Sequence, residues 1–428
     1  MRILEFTGDE AAVRALIRRK HMLDPAVITR AQEILDAVER GGDAAVLQYT
    51  RTYDCPSIET MGLRVTEKEI RAAYKAVPEE LLRALRKARA NVARYHKRQM
   101  PKSWVMDDKG LRLEQRFKPV SRVGIYVPGG KAAYPSTVIM NAVPASIAGV
   151  NEIVMVTPAG KDGSLSPAVL VAAAECGVTE VYRCGGAQAI AALAFGTATI
   201  RPVDKITGPG NAYVAAAKKL VYGTVGIDMI AGPTEVVVIA DDTADPAFVA
   251  ADLIAQAEHD QDATALCLVT EADLAVRIND EVQQQLEAAP RALIARTSLD
   301  QNGRIIVVPS VTVAVELANS IAPEHLEIVT RNARKVSRAI RNAGAIFVGR
   351  WATEALGDYV AGPNHTLPTS GTARFSSALN VMDFMTFSNV IECSKEHFMK
   401  LAPYGETIAR AEGLAGHAAS MAIRRRAR

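Results

Sequence analysis

The sequence contains little cysteine and carries little net charge. The first property argues against a disulfide-stabilised protein, and the second against a nucleic-acid-binding one. Five of its 428 residues are cysteine, and no two of them stand at CxxC spacing. This low, odd count excludes a disulfide-stapled scaffold and favours a reducing compartment. The net charge is +3, and the arginines at 424–426 and 428 more than account for it. The rest of the chain is close to neutral, so no nucleic-acid partner is expected.

Long hydrophobic runs are also missing. The longest run without charge covers residues 132–151, and Pro135, Asn141 and Pro144 interrupt it. We interpret this run as buried core rather than as a membrane span. The first twenty residues mix acids with bases and contain no apolar stretch of the kind that a signal peptide needs. We therefore expect a cytoplasmic protein that does not engage a membrane.

The residues that are present suit a packed protein that begins with helices. Hydrophobic residues make up 49% of the chain and charged residues 23%, which is ordinary for a globular protein. Within the first 100 residues, apolar side chains recur at helical spacing, as at Leu81, Leu85, Ala88 and Val92. The sequence therefore predicts a mostly helical N-terminal segment.

From residue 123 onward the pattern changes to that of a parallel sheet. Short apolar runs end in Gly or Pro turns, namely VGIYVPGG, EIVMVTPAG, EVYRCGGAQ, KITGPGN, EVVVIAD and ALCLVT. Further strands are predicted at 304–308, 326–329 and 345–348. Ala-rich helices between the runs, such as 212–221, indicate βαβ units and a mostly parallel sheet. The last 50 residues are predicted to form a helical C-terminal arm.

Three glycine-rich turns follow predicted strands, at residues 129–130, 185–186 and 208–210. Exposed N–H groups and the helix dipole favour anions at such places, where a strand leads into a helix. The turn GGAQAI would suit a phosphate, with Gln188 available to hydrogen-bond, and GPGN places Asn211 at a helix start. None of the turns is GxGxxG, so the standard dinucleotide fingerprint is absent. Tight βα turns without a ligand remain the alternative.

Several histidines stand beside other polar residues in positions that could serve a metal. Gln256 and His259 project from one face of a predicted helix, since they are three residues apart. Further candidates are His325, the pair Asp358 and His365, and the pair Glu412 and His417. Such nitrogen and oxygen donors suit Zn²⁺ or Mn²⁺, although each histidine alone is more often structural. His21, His96 and His397 are expected to lie on the surface.

The segment APEHL carries the sharpest local pattern. Glu324 and His325 are adjacent, follow Pro323 and precede a predicted strand. A carboxylate and an imidazole at a strand entrance can activate water and accept a proton. The alternative is an exposed loop pair without a catalytic role.

Taken together, these segments resemble the histidinol dehydrogenase family. The resemblance is carried, in order, by VGIYVPGG, GGAQAIAALAFGT, DKITGPGNAYV, IDMIAGPTEVVVIAD, QAEH, APEHLEI and GDYVAGPNHTLPT, and it extends from about residue 30 to residue 417. It implies an enzyme that uses Zn²⁺ (one per subunit) and NAD to convert L-histidinol to L-histidine through bound histidinal. It also implies a homodimer with shared active sites.

The resemblance implies roles for particular residues of this chain. Zinc ligands are expected at Gln256, His259, Asp358 and His417, and the catalytic pair at Glu324 and His325. NAD contacts are expected at Tyr126, Gln188 and Asn211. Substrate contacts are expected at Thr234, His365 and Glu412, together with His325 and the metal ligands. Position 234 is often Ser in this motif, so the extra methyl of Thr234 bears on substrate fit.

The expected fold is α/β, with two incomplete Rossmann-like domains, mostly parallel sheets, a helical N-terminal segment and an extended C-terminal helical tail. Residues 1–22 are predicted to form an arm, and 23–122 with 236–378 the domain that carries the metal and catalytic motifs. Residues 123–235 would form the NAD-side domain. Residues 379–428 would form the tail, which reaches the partner subunit.

Other functions fit parts of the same pattern. A related zinc and NAD dehydrogenase could oxidise another primary alcohol, such as a sulfonated propanediol, with Arg374 as the cation for its anionic group. A metal-dependent hydrolase would use the Glu-His pair and the metal equally well. A non-catalytic metal scaffold would leave the titratable residues without a role. A thiohemiacetal on Cys184 would be an alternative to water activation by Glu324, which we favour.

Overall fold

The computed structural model describes residues 1–9, 13, 24–129 and 133–426 of the chain. Its strands are β1 (Arg2–Glu5), β2 (Trp104–Asp108), β3 (Leu111–Pro119), β4 (Arg122–Tyr126), β5 (Glu152–Thr157), β6 (Glu180–Arg183), β7 (Lys205–Thr207), β8 (Gly226–Ile227), β9 (Glu235–Ala240), β10 (Thr264–Val269), β11 (Arg304–Val307), β12 (His325–Val329), β13 (Ala345–Val348) and β14 (Met385–Cys393). The strands predicted from residue 123 onward are all present, with ends that differ by a few residues.

Helices separate most of these strands. They are α1 (Pro25–Tyr53), α2 (Ile58–Met61), α3 (Glu67–Ala76), α4 (Glu79–His96), α5 (Pro135–Ala148), α6 (Pro167–Glu175), α7 (Gly186–Phe195), α8 (Ala212–Val221), α9 (Pro246–Ala257), α10 (Ala272–Ala288), α11 (Ala292–Asn302), α12 (Val311–Ile321), α13 (Ala333–Ser337), α14 (Glu354–Leu356), α15 (Lys395–Ala411) and α16 (Ala415–Arg426). Among the described residues, no helix combines the length and the apolar character that crossing a bilayer requires.

The chain forms two compact units, and the larger one comprises Met1–Gln99 and Val120–Phe384. It contains a five-stranded sheet in the order β6-β5-β4-β7-β8 and a six-stranded sheet in the order β1-β11-β10-β9-β12-β13. All the strand pairs in both sheets are parallel. The predicted α/β class with mostly parallel sheets is therefore confirmed.

The five-stranded sheet is covered by apolar helices. One core joins α1, α7 and α8 to the sheet, with Ile34, Val154 and Ile190 among its buried side chains. The helix α5 lies within the uncharged run 132–151, and ten of its fourteen residues are buried. The helical part of that run is therefore core, as predicted, and the helix stays intact around Pro144.

The six-stranded sheet is buried on both faces, as expected for parallel strands. All six residues of β9 are buried, and its side chains alternate between the two faces. Val236 and Val238 pack with α9, α10 and α11, whereas Val237 and Ile239 pack with α12. The strand β1 adds to one side of the sheet by pairing with β11, so the mostly helical N-terminal segment also contains a strand.

The smaller unit comprises Met100–Pro119 and Met385–Arg428. It contains a three-stranded antiparallel sheet in the order β14-β3-β2, followed by the helices α15 and α16. The predicted C-terminal arm is helical from Lys395, but its first part forms β14. The β-branched and aromatic residues of MTFSNVIEC favour a strand here, and nine paired positions with β3 fix it.

Candidate active site

The predicted metal, substrate and catalytic residues of the larger unit gather at the amino edge of the six-stranded sheet. The strands β9 and β12 lie side by side, with His325 opposite Val236, so Thr234 and Glu324 just precede neighbouring strands. The helix α9 returns from the far end of β9 to the start of β10, because consecutive parallel strands need such a crossover. It ends at Ala257 and thereby delivers the Gln256 and His259 region to the same edge.

Glu324 is held by two hydrogen bonds from the start of β9. One of its carboxylate oxygens accepts from the Thr234 hydroxyl at 2.6 Å and from the backbone N–H of Glu235 at 2.9 Å. Burial raises the pKa of Glu324 above its ordinary value, although the His325 charge and these two bonds oppose that shift. The side chain is therefore fixed in position and more basic than an exposed glutamate, which suits a base that removes a proton from water.

His325 is buried, and only one of its two ring nitrogens has a hydrogen-bond partner among the described residues. Its Nδ1 lies 3.1 Å from the backbone carbonyl oxygen of Glu235, which can only accept, so Nδ1 carries a proton. Its Nε2 is buried, has no hydrogen-bond partner among the described residues and lies 3.6 Å from Asp358. Burial alone would lower the pKa of His325, but the Glu354, Glu324 and Asp358 carboxylates raise it well above its usual value.

Glu354 belongs to this site although the sequence analysis did not single it out. It lies in α14, is 2% exposed, and its backbone N–H donates to the Glu327 carboxylate at 2.7 Å. Burial raises its pKa to about 8, while the His325 charge opposes the shift. The available signal was its spacing: Glu354 and Asp358 are four residues apart, and on a helical turn such residues share a face.

Glu354 also contacts the Gln256 side-chain amide. The amide nitrogen donates to the Thr234 hydroxyl at 2.7 Å, and the amide oxygen lies 2.8 Å from both Glu354 carboxyl oxygens. Burial raises the pKa of Glu354 to about 8, so its protonated carboxyl can donate to that oxygen, and the Thr234 hydroxyl keeps its one proton for Glu324. Gln256 thus bridges Glu354 and Thr234, and Thr234 in turn contacts Glu324.

A metal ion fits the acidic part of the site. The nearest donor atoms of His259, Glu354 and Asp358 all lie within 4.8 Å of one another. Burial lowers the pKa of His259, which favours the neutral imidazole that binds metals. Burial tends to raise the pKa of Asp358, but the His325 contact and charge keep it below its ordinary value, so this side chain stays anionic. These nitrogen and oxygen donors suit Zn²⁺ or a similar ion.

The other predicted residues fall into two groups. His365 is partly buried, and its Nδ1 donates to the backbone oxygen of Asp358 at 2.9 Å, so it belongs to the same site. Glu412 and His417 lie on the smaller unit, where both are exposed.

The predicted NAD residues line a different cavity, at the carboxyl edge of the five-stranded sheet. This cavity has a volume of about 650 Å³, and Tyr126, Gln188 and Asn211 all line it. Asp54, Arg30 and other residues complete its wall. Asn211 is the N-cap of α8, as GPGN predicts, and its side-chain oxygen accepts from two backbone N–H groups of that helix.

Two amides of the turn GGAQAI are taken by the chain itself. The N–H of Gly185 donates to the Asp54 carboxylate at 3.0 Å, and the N–H of Gly186 donates to the Tyr126 hydroxyl at 3.1 Å. These two donors are therefore not available to a phosphate, and a phosphate site on the rest of the turn, with Gln188, stays a prediction. Asp54 and Tyr126 were not recognisable as caps, since they are distant from the turn in sequence.

The three histidines expected on the surface have different outcomes. His96 is fully buried, with its Nδ1 2.9 Å from the Val92 carbonyl oxygen, so the surface prediction is wrong for it. It follows Val92 by four residues on the apolar face of α4, and this spacing was the missed signal. His397 is partly buried on the smaller unit, and His21 lies outside the described residues.

Comparisons with known proteins agree with one another. A family model described as histidinol dehydrogenase matches residues 17–425. A histidinol dehydrogenase from a Synechococcus strain is 51% identical over 419 residues, which are 97% of this chain and 96% of that protein. One from Bacillus subtilis is 50% identical and covers 92% of each chain. A crystal structure of histidinol dehydrogenase from Elizabethkingia anophelis superposes with a TM-score of 0.92 at 36% identity, over 99% of this chain and 96% of that one.

Proposed function

Because the chain belongs to the histidinol dehydrogenase family, we propose that it oxidises L-histidinol to L-histidine with two molecules of NAD and one zinc ion per subunit. The observation that carries this proposal is the placement of Glu324 and His325 against the acidic cluster of Glu354 and Asp358. A base and a water activator stand there beside donors that suit a metal. The large cavity at the other sheet supplies room for a dinucleotide.

The zinc ion would be held by Gln256, His259 and Asp358, with His417 supplied by the tail of a second copy. When bound, zinc would orient the substrate through its amino and imidazole nitrogens, which is a positioning role. Glu354 contacts the Gln256 side chain and would therefore help to orient this metal ligand. A dimer that shares its active sites follows from this assignment, since His417 and Glu412 belong to the tail.

In the first oxidation, His325 acts as the base. Its Nδ1 proton is held by the Glu235 carbonyl oxygen, so Nε2 is the atom that accepts the hydroxyl proton of the alcohol. Bound NAD would supply the hydride acceptor for the adjacent carbon, and the product of this half is the aldehyde. The base must be neutral to act, and positive charge bound beside Asp358 and Glu354 favours that form because it offsets the carboxylates that raise the pKa of His325.

In the second oxidation, Glu324 acts on water. Its carboxylate, fixed by Thr234 and the Glu235 N–H, removes a proton from the water that adds to the aldehyde. His325 returns the proton of the first step to the aldehyde oxygen, which completes the hydrate, and its Nε2 can then accept the hydroxyl proton of that hydrate. A second bound NAD would be the hydride acceptor. The carboxylic acid is the product, so each half of the reaction releases one proton.

The charge of the site favours a cationic substrate over an anionic one. Glu324, Glu354 and Asp358 surround His325, and Glu412 of the tail would add a further carboxylate. Histidinol carries an ammonium group, which pairs favourably with carboxylates, whereas a sulfonate would be repelled. The guanidinium of Arg374 donates to the backbone oxygen of Gly371 at 3.0 Å, which occupies one of the donors that an anionic substrate would need.

One titration tests the proposal. Purified zinc-loaded protein is given limiting L-histidinol and excess NAD, and NADH is followed by absorbance. We expect two NADH per histidinol, loss of turnover with a chelator, and recovery with zinc. NADH from another primary alcohol but not from histidinol would contradict the substrate, and no NADH from any alcohol would contradict the dehydrogenase assignment.

A further inference from the structure

The loop that connects β7 to α8 lies directly against Tyr126. Gly208 in this loop has φ +111°, and a Cβ there would overlap the backbone carbonyl oxygen of Tyr126. Only glycine therefore allows this close approach, for steric reasons and because of its positive φ. The loop continues to Asn211. It therefore lies between Tyr126 and Asn211, which both line the cavity.

Both backbone polar groups of Gly208 are taken by one buried ion pair. The N–H of Gly208 donates to Asp228 at 2.8 Å, and the Lys218 ammonium donates to the Gly208 carbonyl oxygen at 2.9 Å. Lys218 and Asp228 also pair directly with each other. Their side chains are 3% and 1% exposed, so the pair is almost completely removed from water.

A pair buried this deeply is costly to desolvate and is weak evidence for stability by itself. Its geometry, however, is specific. Asp228 and Lys218 contact the N–H and the C=O of a single residue of the loop, and Lys218 lies on α8, the helix that Asn211 caps. The pair therefore ties the loop and the start of α8 into one rigid unit.

The cap leaves Asn211 with one kind of group to offer a ligand. Its side-chain oxygen accepts from the N–H groups of Tyr213 at 3.0 Å and Val214 at 3.1 Å. Its amide nitrogen is consequently the donor that can face the cavity. The position of that donor depends on the loop that the ion pair holds.

We propose that the Lys218–Asp228 pair is a positioning device for the cavity, which fixes Gly208 so that Asn211 and Tyr126 are correctly spaced for NAD. This inference rests on the proposed function of the cavity as the NAD site. Neither Lys218 nor Asp228 contacts the reacting atoms. Loss of the pair therefore weakens NAD binding, whereas kcat at saturating NAD and the KM for histidinol stay close to those of the wild type.

The test compares Asp228→Asn with Glu180→Gln. Glu180 accepts two hydrogen bonds from Arg122 at 2.9 and 3.1 Å, and these side chains are 14% and 7% exposed. This second pair lies in the same sheet but at the amino ends of β4 and β6, which is the opposite edge. It is therefore a control for the loss of a carboxylate from a buried ion pair, in which Arg122 keeps Glu152 as its other partner.

Isothermal titration with NAD and steady-state kinetics are measured for both variants. For Asp228→Asn we expect the Kd and KM for NAD to rise by at least roughly tenfold, because small misplacements of binding groups are costly. Glu180→Gln should lower Tm and leave both constants at their wild-type values. If Asp228→Asn fails to fold, the double variant K218M/D228N removes both charges, leaves no unpaired buried charge, and should show the same NAD defect.

Three results overturn the inference. Wild-type NAD affinity in Asp228→Asn or in the double variant would show that the pair does not position the loop. An equal rise in Kd for Glu180→Gln would show that the effect is one of general stability. Wild-type protein that neither binds nor reduces NAD would overturn the proposed function itself, and this outcome is visible before any variant is made.

Discussion

The two parallel sheets of the larger unit present their candidate sites at opposite ends of their strands. The cavity of the five-stranded sheet lies at the carboxyl edge, where turns such as 208–211 approach closely, and few of its wall residues are charged. The cluster of the six-stranded sheet lies at the amino edge and consists of carboxylates and imidazoles, of which Glu324, His325 and Glu354 are buried. Binding a dinucleotide needs shape and backbone proximity, whereas proton transfer needs ionisable side chains in a shielded place.

The largest effect is expected for His325, which belongs to the amino-edge cluster and not to the cavity of the other sheet. His325→Asn should lower the rate of alcohol oxidation by about 10² to 10⁴-fold, because a positioned base contributes that much. The Kd for NAD should not change, since the cavity belongs to the other sheet. Pre-steady-state NADH formation and NAD titration measure the two quantities. Full retention of the rate would show that another group is the base.

The second effect is a loss of zinc affinity, which we expect for a substitution of Glu354 but not for one of Glu258. Glu354→Gln removes the carboxyl group that contacts the Gln256 amide, so zinc affinity should fall by about 10 to 100-fold, the range for groups that orient metal ligands. Competition with a chromophoric chelator measures this without turnover. Glu258→Gln is the control, because Glu258 is next to His259 but outside the cluster. Equal affinity in both variants would contradict the role of Glu354.

The sequence allowed the carboxyl-edge cavity to be predicted better than the amino-edge cluster. Glycine turns after apolar runs mark the ends of strands, and Tyr126, Gln188 and Asn211 follow from them or from the family motifs. The caps of α7 were not predictable, because Asp54 approaches from another helix. At the amino edge, QAEH and APEHL could be recognised, whereas for Glu354 the only signal was its four-residue spacing to Asp358. Its role depends on contacts with Gln256 and His325, which only the fold creates.

The third effect is a pH dependence of stability that comes from two acidic residues, Glu327 and Asp252. Glu327 on β12 is 1% exposed, and its carboxyl faces that of Asp252. Burial, with the Asp252 charge, raises the pKa of Glu327 to about 9. Its protonated form therefore contributes stability that is fully present below the unfolded pKa, near 4.5, and is lost as pH rises toward 9.

Glu327→Gln should remove this dependence. Between pH 5 and 9 we expect the free energy of unfolding of the wild type to fall relative to the variant by up to about 5 kcal/mol, since each unit of pKa shift corresponds to about 1.4 kcal/mol. Urea unfolding at several pH values measures it. Glu180→Gln is the control from the other sheet: hydrogen bonds from Arg122 lower the pKa of Glu180 to about 2, so its contribution should be constant over this range. Parallel profiles for wild type and Glu327→Gln would contradict the argument.

The smallest effect is expected at Cys184, the residue between β6 and the cavity. Its side chain is fully buried, and burial raises the pKa of the thiol far above its ordinary value, so a nucleophilic thiolate is not available there. Cys184→Ser should therefore leave turnover within about twofold of the wild type, since a catalytic nucleophile would cost far more. In the folded protein a thiol reagent should modify Cys393, which is exposed, and spare Cys184. A large loss of the aldehyde-oxidising half alone in Cys184→Ser would favour a thiohemiacetal, and the chemistry would then extend to the carboxyl edge as well.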